Sequence, residues 1–175
     1  MSVQERFAVD KDAFLHAMSN LAGTIHVVAT IEDGAPIGVI ATSVCSLSAD
    51  PPSLVVCLNK TTSAHDPILR QKLFSVNVLD ASQADVAEMF MTEKGAARFA
   101  HESWMKTPGR IPVLQVGLVS FDCELVNSYD GYSHSILIGK VAGLNHAASN
   151  QDRRCLLWHQ RKFAQPAAVT AHPAQ

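Results

Sequence analysis

The sequence predicts a mainly β protein with short helices, folded as one domain around a small antiparallel barrel. Three observations carry that expectation. Asp33-Gly34 separates two β-branched apolar runs, a strong short-range hairpin signal. "SLVVCLN" at 53–59 is compact and apolar enough for a strand buried on both faces. "LVSFDCELV" at 118–126 alternates, with Val119, Phe121, Cys123 and Leu125 on one face and Ser120, Asp122 and Glu124 on the other. That pattern belongs to a half-exposed antiparallel strand.

Taken in order, Asp10 to Leu21 reads as a helix with Phe14, Leu15, Met18 and Leu21 on its apolar face, acidic residues at its start and Gly23 as its stop. "TIHVVATI" and "IGVIATSV" are the two strands of the hairpin, and "SLVVCLN" is the third strand. "SAHDPILRQK" reads as a short helix opened by a hydroxyl residue, followed by the strand "LFSVNVL". "SQADVAEMFM" has Ser82 placed to cap a helix and Asp85 in its first turn. A helical turn at "AARFA" and a break at "TPGRIP" precede the alternating strand; "HSILIGKVAGL" and "CLLWHQRKF" are the last two strands. The sum is about six or seven strands joined by hairpins with helices between them, which favours an antiparallel barrel over a doubly wound parallel sheet. The domain is expected to span 1–165, with a disordered Pro/Ala-rich tail at 166–175.

With 175 residues, 47% of them apolar, the chain can bury one good core. A formal net charge of −2 argues against a nucleic-acid partner. Glu5, Arg6, Lys11 and Asp12 crowd the N-terminus where a signal peptide needs an apolar run, and no stretch reaches the roughly 18 to 20 apolar residues of a membrane helix. The expectation is a cytoplasmic protein without a membrane partner. Cys45, Cys57, Cys123 and Cys155 are irregularly spaced, with no CxxC pair and no HxH or HxxxH cluster nearby. They read as free core cysteines, and no metal site is expected.

The sequence lacks GxGxxG after a strand, GxxxxGK[ST], HExxH and GxSxG, so four common chemistries have no support. What remains is "GVIATSVCSLS" at 38–48, where small residues leave backbone groups open to the polar rim of a planar heterocycle. "NKTTSAHD" at 59–66 follows with a lysine and three hydroxyls ahead of a helix, groups that suit a phosphate. By residue type alone, a Ser/Thr-rich loop that caps a helix is the commoner reading. His134 opens a strand after the turn-like "YDGYS", and Trp158, His159 and Arg161 sit near the end of the chain. Such residues more often close a core or face solvent than bind a ligand. Phe90 and Phe99 read as core by helical spacing.

The blocks "GVIATSVCSLSADPPSLVVCLN", "FSVNVL", "ADVAEMF", "ARFA" and "HSILIGKV" follow one another in an order that resembles the flavin reductase-like family, with its FMN-binding, Greek-key-like split barrel. The similarity runs from about Phe14 to Phe163 and is most specific in the A-T-S-x-x-S-x-S-x-x-P-P block. It implies an NAD(P)H:flavin oxidoreductase, like the small reductase components of two-component flavin monooxygenases. Such a protein is a homodimer that passes hydride from NADH or NADPH to FMN or FAD and supplies the reduced flavin, by diffusion, to a separate monooxygenase. The resemblance assigns the flavin to Gly38, Val39, Ile40, Ala41, Thr42 and Ser43, covered by Cys57, Leu58 and Asn59. It assigns the phosphate and ribityl side to Lys60, Thr62, Ser63 and Ala64, and places Phe90 near the ring. It assigns the nicotinamide to His134, Trp158, His159, Gln160 and Arg161, with no side chain acting as a catalytic group. The family's Gly-Asp before the histidine is replaced here by Tyr132-Ser133. A non-catalytic flavin-binding module of the same fold and an oxidase resembling pyridoxamine 5′-phosphate oxidases are the alternatives.

Overall fold

Alternating and β-branched runs separated by Gly, Pro and Asp make strands the dominant regular structure of this chain. A computed structural model describes residues 9–105, 110–146 and 153–168. Its elements in order are α1 (Lys11–Met18), β1 (Gly23–Thr24), β2 (His26–Glu32), β3 (Ala35–Ala41), β4 (Val44–Ala49), β5 (Pro52–Asn59), α2 (His65–Gln71), β6 (Leu73–Val78), α3 (Ala84–Thr92), β7 (Val119–Gly131), β8 (His134–His146), β9 (Leu157–His159) and β10 (Lys162–Ala164). Short 3-10 turns lie at Ala81–Gln83 and Gly95–Phe99.

Seven strands form one antiparallel sheet in the order β3-β2-β6-β7-β8-β5-β4. Its two edges, β3 and β4, are consecutive in the chain and meet at Thr42–Ser43, yet no ladder joins them. The sheet wraps around one interior. Val28, Val56, Leu58, Phe74, Val76, Cys123, Leu125 and Leu137 pack there, with Val39, Ala41 and Val44 partly buried against them. Every strand of the sheet contributes, so this is a barrel split along the β3/β4 line.

A second core lies on the outer face, where Ile25, Val27 and Ala29 meet α3, Phe99, Trp104, Leu114 and Leu156. Phe90, Phe99 and Trp104 stack there with ring centroids 4.9 to 5.9 Å apart. The strand buried on both faces is therefore β2, whose Val28 faces inward while Val27 and Ala29 face outward. "SLVVCLN" differs from expectation: Leu54, Val56 and Leu58 are buried, but Val55, Cys57 and Asn59 are half-buried, because nothing among the described residues packs fully over that side.

Other elements depart from the sequence reading for local reasons. "IGVIATSV" is not one strand, since the chain turns at Thr42–Ser43 from one sheet edge to the other. Gly23 does not stop α1 but lies in β1, and "CLLWHQRKF" is a hairpin turning at Gln160 and Arg161, both at positive φ. These residues make a separate sheet, β1-β9-β10. Ala64, not a hydroxyl residue, is the N-cap of α2. Asp80, not Ser82, caps the helical start before α3; its carboxylate accepts from the Ser82 backbone N–H at 2.9 Å.

Ser120 is buried, not exposed, because the 112–114 segment covers that end of β7. Its hydroxyl donates to Asn77 Oδ1 at 2.7 Å, and the Leu114 N–H donates to the same oxygen at 3.0 Å. Of the four cysteines only Cys123 is buried, and Cys45 on edge strand β4 is exposed. The hairpin at Asp33-Gly34 forms as expected, with φ of 50° and 79° suiting a primed turn. Residues 107–109 of the "TPGRIP" break, the charged Glu5 and Arg6, and residues 169–175 of the tail lie outside the described residues.

Asp80 also ties the ends of the fold together, accepting from Arg153 Nε at 3.2 Å, while the Arg153 guanidinium donates to the Gly117 carbonyl at 3.3 Å. Burial pushes the Asp80 carboxyl up, but the Ser82 donors and the Arg153 charge outweigh it and hold the group below its ordinary 3.8. A depressed carboxylate contributes stability that is complete above the unfolded value and is lost as pH falls through the folded one. Unfolding free energy is therefore expected to drop from about pH 4 downward, and Asp80→Asn should flatten that acid limb in urea titrations at stepped pH. An unchanged limb in the variant would remove Asp80 as its source.

Candidate functional site

The split leaves β3 as an edge strand with a ladder on one side only, to β2. Its last residues, Ile40 and Ala41, with Thr42 after them, line a pocket of about 180 Å³ together with Ile25, Met91 and Trp158. Trp158 reaches this place because β9 pairs with β1 in the register Gly23↔Trp158. A Cβ on Gly23 would stand 2.9 Å from Thr42 Cβ, so only glycine lets the small sheet approach this closely. Trp158 is braced from behind by Phe163, ring centroids 5.3 Å apart. His26 lies behind the same strand, with Nδ1 3.3 Å from the Ala41 carbonyl. Burial pushes its pKa down, with only partial opposition from its backbone hydrogen bonds, so the ring is neutral and Nδ1–H is the donor.

From Thr42 the surface continues across the split. The Cys57 N–H donates to the Ser43 carbonyl at 2.9 Å, joining the β3–β4 corner to β5. Cys57 and Asn59 share the half-exposed face of β5, and Asn59 pairs with His134 at the start of β8. Past Asn59 the chain folds back on that residue: the Thr61 N–H and hydroxyl donate to Asn59 Oδ1, each at 2.9 Å, and the Thr62 hydroxyl donates to the Asn59 carbonyl at 2.8 Å. The Lys60 N–H donates to the Ser133 carbonyl at 3.0 Å, and the Lys60 ammonium pairs with Asp130. Ser133 Oγ lies 2.9 Å from His134 Nδ1, which orients the ring. The loop 60–63 and the β7–β8 hairpin tip thus form one wall.

Sequence-predicted residues fall into three groups. Ile40, Ala41, Thr42, Ser43, Cys57, Asn59, Lys60, Thr62, Ser63, His134 and Trp158 lie along this continuous surface. Leu58 and Ala64 have side chains 1% and 0% exposed inside the barrel, so they offer only main-chain atoms. Gly38 is buried, its carbonyl already accepting from Arg98 Nη1 at 3.1 Å, and Val39 packs inward. Phe90, 4% exposed, packs in the aromatic cluster beneath β3 and does not reach the open side. Gln160 and Arg161 are not brought to β3. The Gln160 N–H donates to the Ser19 carbonyl at 2.8 Å, fastening the β9–β10 turn to the end of α1, and His159 is half-buried beside that turn.

One buried constellation mimics a hydrolase. His65 Nδ1 lies 2.6 Å from Asp66 Oδ1, and Nε2 lies 2.9 Å from Ser135 Oγ. Ser135 is only 5% exposed and sits between β5 and β7 in the ladder, so no substrate reaches its hydroxyl. The chain of bonds ties α2 to β8 behind His134. Burial and then the Asp122 charge push the Cys123 thiol up to about 12, which leaves it inert. A larger open groove of about 590 Å³, lined by Leu73, Met105, Arg110, Asp122 and Leu144 among others, contains none of the predicted residues.

The profile of the flavin reductase like domain matches residues 18–167. The chain belongs to this flavin reductase family. An FMN reductase (NADH), RutF, of Acinetobacter baylyi is 35% identical over 162 residues, 92% of this chain and 85% of that protein. Nitrilotriacetate monooxygenase component B of Mycobacterium thermoresistibile superposes with a TM-score of 0.84 at 26% identity, covering 96% of this chain and 93% of its own. BorF, the flavin reductase component of a bacterial two-component tryptophan halogenase, gives 0.78 at 26% identity, covering 91% of this chain and all of its own.

Within this family member, sequence reasoning had missed Ile25, His26, Met91 and Asp130. Ile25, His26 and Met91 carry no motif; they reach the site through β-pairing and packing across long stretches of chain. Asp130 had a readable signal, since it stands in the turn-like "YDGYS" directly before His134.

Proposed function

We propose that this chain is an NADH:flavin oxidoreductase that binds FMN along the open edge of β3 and supplies reduced flavin to a separate monooxygenase. The observation that carries the reading is the line of small and hydroxyl residues from Ile40 to Ser43, with Trp158 at one end and Lys60 and His134 at the other. FMN and NADH are favoured over FAD and NADPH by the name of the Acinetobacter relative. The two reductase components named above support a monooxygenase or similar oxygenase as the acceptor.

The residues fit the cofactor. The outer edge of β3 bears no ladder, so its main-chain groups near Ile40 and Ala41 suit the polar rim of a flavin ring. Lys60 and the Ser63 hydroxyl suit the phosphate. Bound flavin would supply the redox chemistry, accepting hydride from the reduced nicotinamide. The protein's part is geometry: Trp158 offers a flat apolar face, and His134, held by Ser133, offers a hydrogen bond to the nicotinamide amide. In this reading no side chain transfers a proton.

A homodimer completes the site in this reading. The 180 Å³ pocket is too small to enclose a flavin by itself, so a second copy supplies a wall. Among the described residues, two exposed apolar surfaces suit such a contact: Phe14, Leu15 and Met18 of α1 with Leu21 just after it, 44–63% exposed, and the edge strand β4 with Leu47 52% exposed.

The test is anaerobic mixing of protein, FMN and NADH, followed by flavin bleaching. Bleaching no faster than with flavin alone, with NADPH equally inert, would sink the enzyme; a yellow, unreactive complex would mark a binding module. His134→Ala is expected to lower kcat/KM for the nicotinamide about ten-fold or more while changing flavin Kd less than about two-fold. Equal losses for both ligands would remove the assigned role.

A further inference from the structure

The ammonium that would meet the ligand's phosphate already has an anion. Lys60 pairs with Asp130 Oδ1, and the same oxygen accepts the Tyr132 N–H at 3.1 Å, so the turn at Tyr132, with φ of 63°, fixes the carboxylate in place. The root of Lys60 is equally fixed through its N–H to the Ser133 carbonyl at 3.0 Å. Asp66, in the first turn of α2 after this loop, pairs with His65.

We propose that Asp130 is a specificity-determining residue whose carboxylate competes with the ligand's phosphate for the Lys60 ammonium. This rests on the reading of Lys60 given above. The side chains of the pair are 38% and 79% exposed, so it forms in water, is weak, and exchanges readily for a stronger anion. A phosphate arriving at Lys60 must displace Asp130 and then bear its repulsion. The device therefore weakens phosphorylated ligands selectively and leaves ring recognition at β3 untouched. It also suits a protein that must release its reduced flavin.

Asp130→Asn removes the charge and keeps an oxygen for the Tyr132 N–H, so the turn survives. Flavin fluorescence titrations would compare FMN with riboflavin, which has the same ring and no phosphate, at low and high salt. Asp130→Asn should tighten FMN about three- to ten-fold at low salt. Riboflavin should not change, the gain should shrink at high salt, and it should be smaller in the Lys60→Gln background, where only the repulsion between carboxylate and phosphate is relieved. Unchanged or weaker FMN binding in Asp130→Asn overturns the proposal, as does an equal gain for riboflavin. Wild-type protein that binds neither flavin overturns the reading of the site itself, a result distinct from either of those.

Discussion

Asn77→Ala is expected to destabilise the protein by about 3 to 5 kcal/mol, read as a fall of roughly 10 °C or more in Tm. Asn77 is fully buried on β6. Its amide donates to the Val27 carbonyl at 3.1 Å and to Ser75 Oγ at 2.9 Å, while its Oδ1 accepts from the Leu114 N–H and the Ser120 hydroxyl. Alanine leaves the Leu114 N–H and the Val27 carbonyl without these partners, in a place water does not reach, and an orphaned buried group costs more than a satisfied one contributes. The damage spreads because the 112–114 segment carries Leu114, which packs with Trp104, Phe99 and Phe90 beneath β3. A loss under about 1 kcal/mol in urea unfolding would show that the segment is held by something else.

Gly139→Ala is expected to cost about 2 to 3 kcal/mol through overpacking. Gly139 lies in β8 between Leu54 of β5 and Leu125 of β7. A Cβ there would stand 2.5 Å from Phe74 Cζ and 3.2 Å from Cys123 Cβ. Phe74 is fully buried in the barrel interior, so its ring has no solvent to retreat into. Combining Gly139→Ala with Phe74→Leu should recover part of the loss, making the double variant about 1 kcal/mol more stable than the sum of the singles. Strict additivity would mean that the strand, rather than the ring, gives way.

The candidate site was legible where its residues run together along the chain. "GVIATSVCSLS" and "NKTTSAHD" carry their small and hydroxyl residues in order, and the turn before His134 shows in "YDGYS". What could not be read was direction. Leu58 and Asn59 are neighbours, yet period-two alternation sends the first into the barrel and the second toward His134. The resemblance gives Lys60 to a phosphate; its pairing with Asp130 depends on a contact 70 residues away. The resemblance assigns Trp158 and Arg161 to one ligand, but a hairpin turn takes Trp158 to β3 and leaves Arg161 at the turn itself.

Local pattern by itself determined the β-rich class, the hairpin at Asp33-Gly34, the helices and the ordered blocks that place the chain among flavin reductases. Those features depend on residues close in sequence, where backbone preference and hydrophobic period act directly. Only the tertiary structure decided that "IGVIATSV" breaks into the two edges of a split barrel, and that β2 rather than β5 is buried on both faces. It also decided that Gly23 serves close approach to Thr42, and that Asp130 stands against Lys60. Each of these depends on which strand lies beside which, a choice made by burying two faces at once and invisible to any window along the chain.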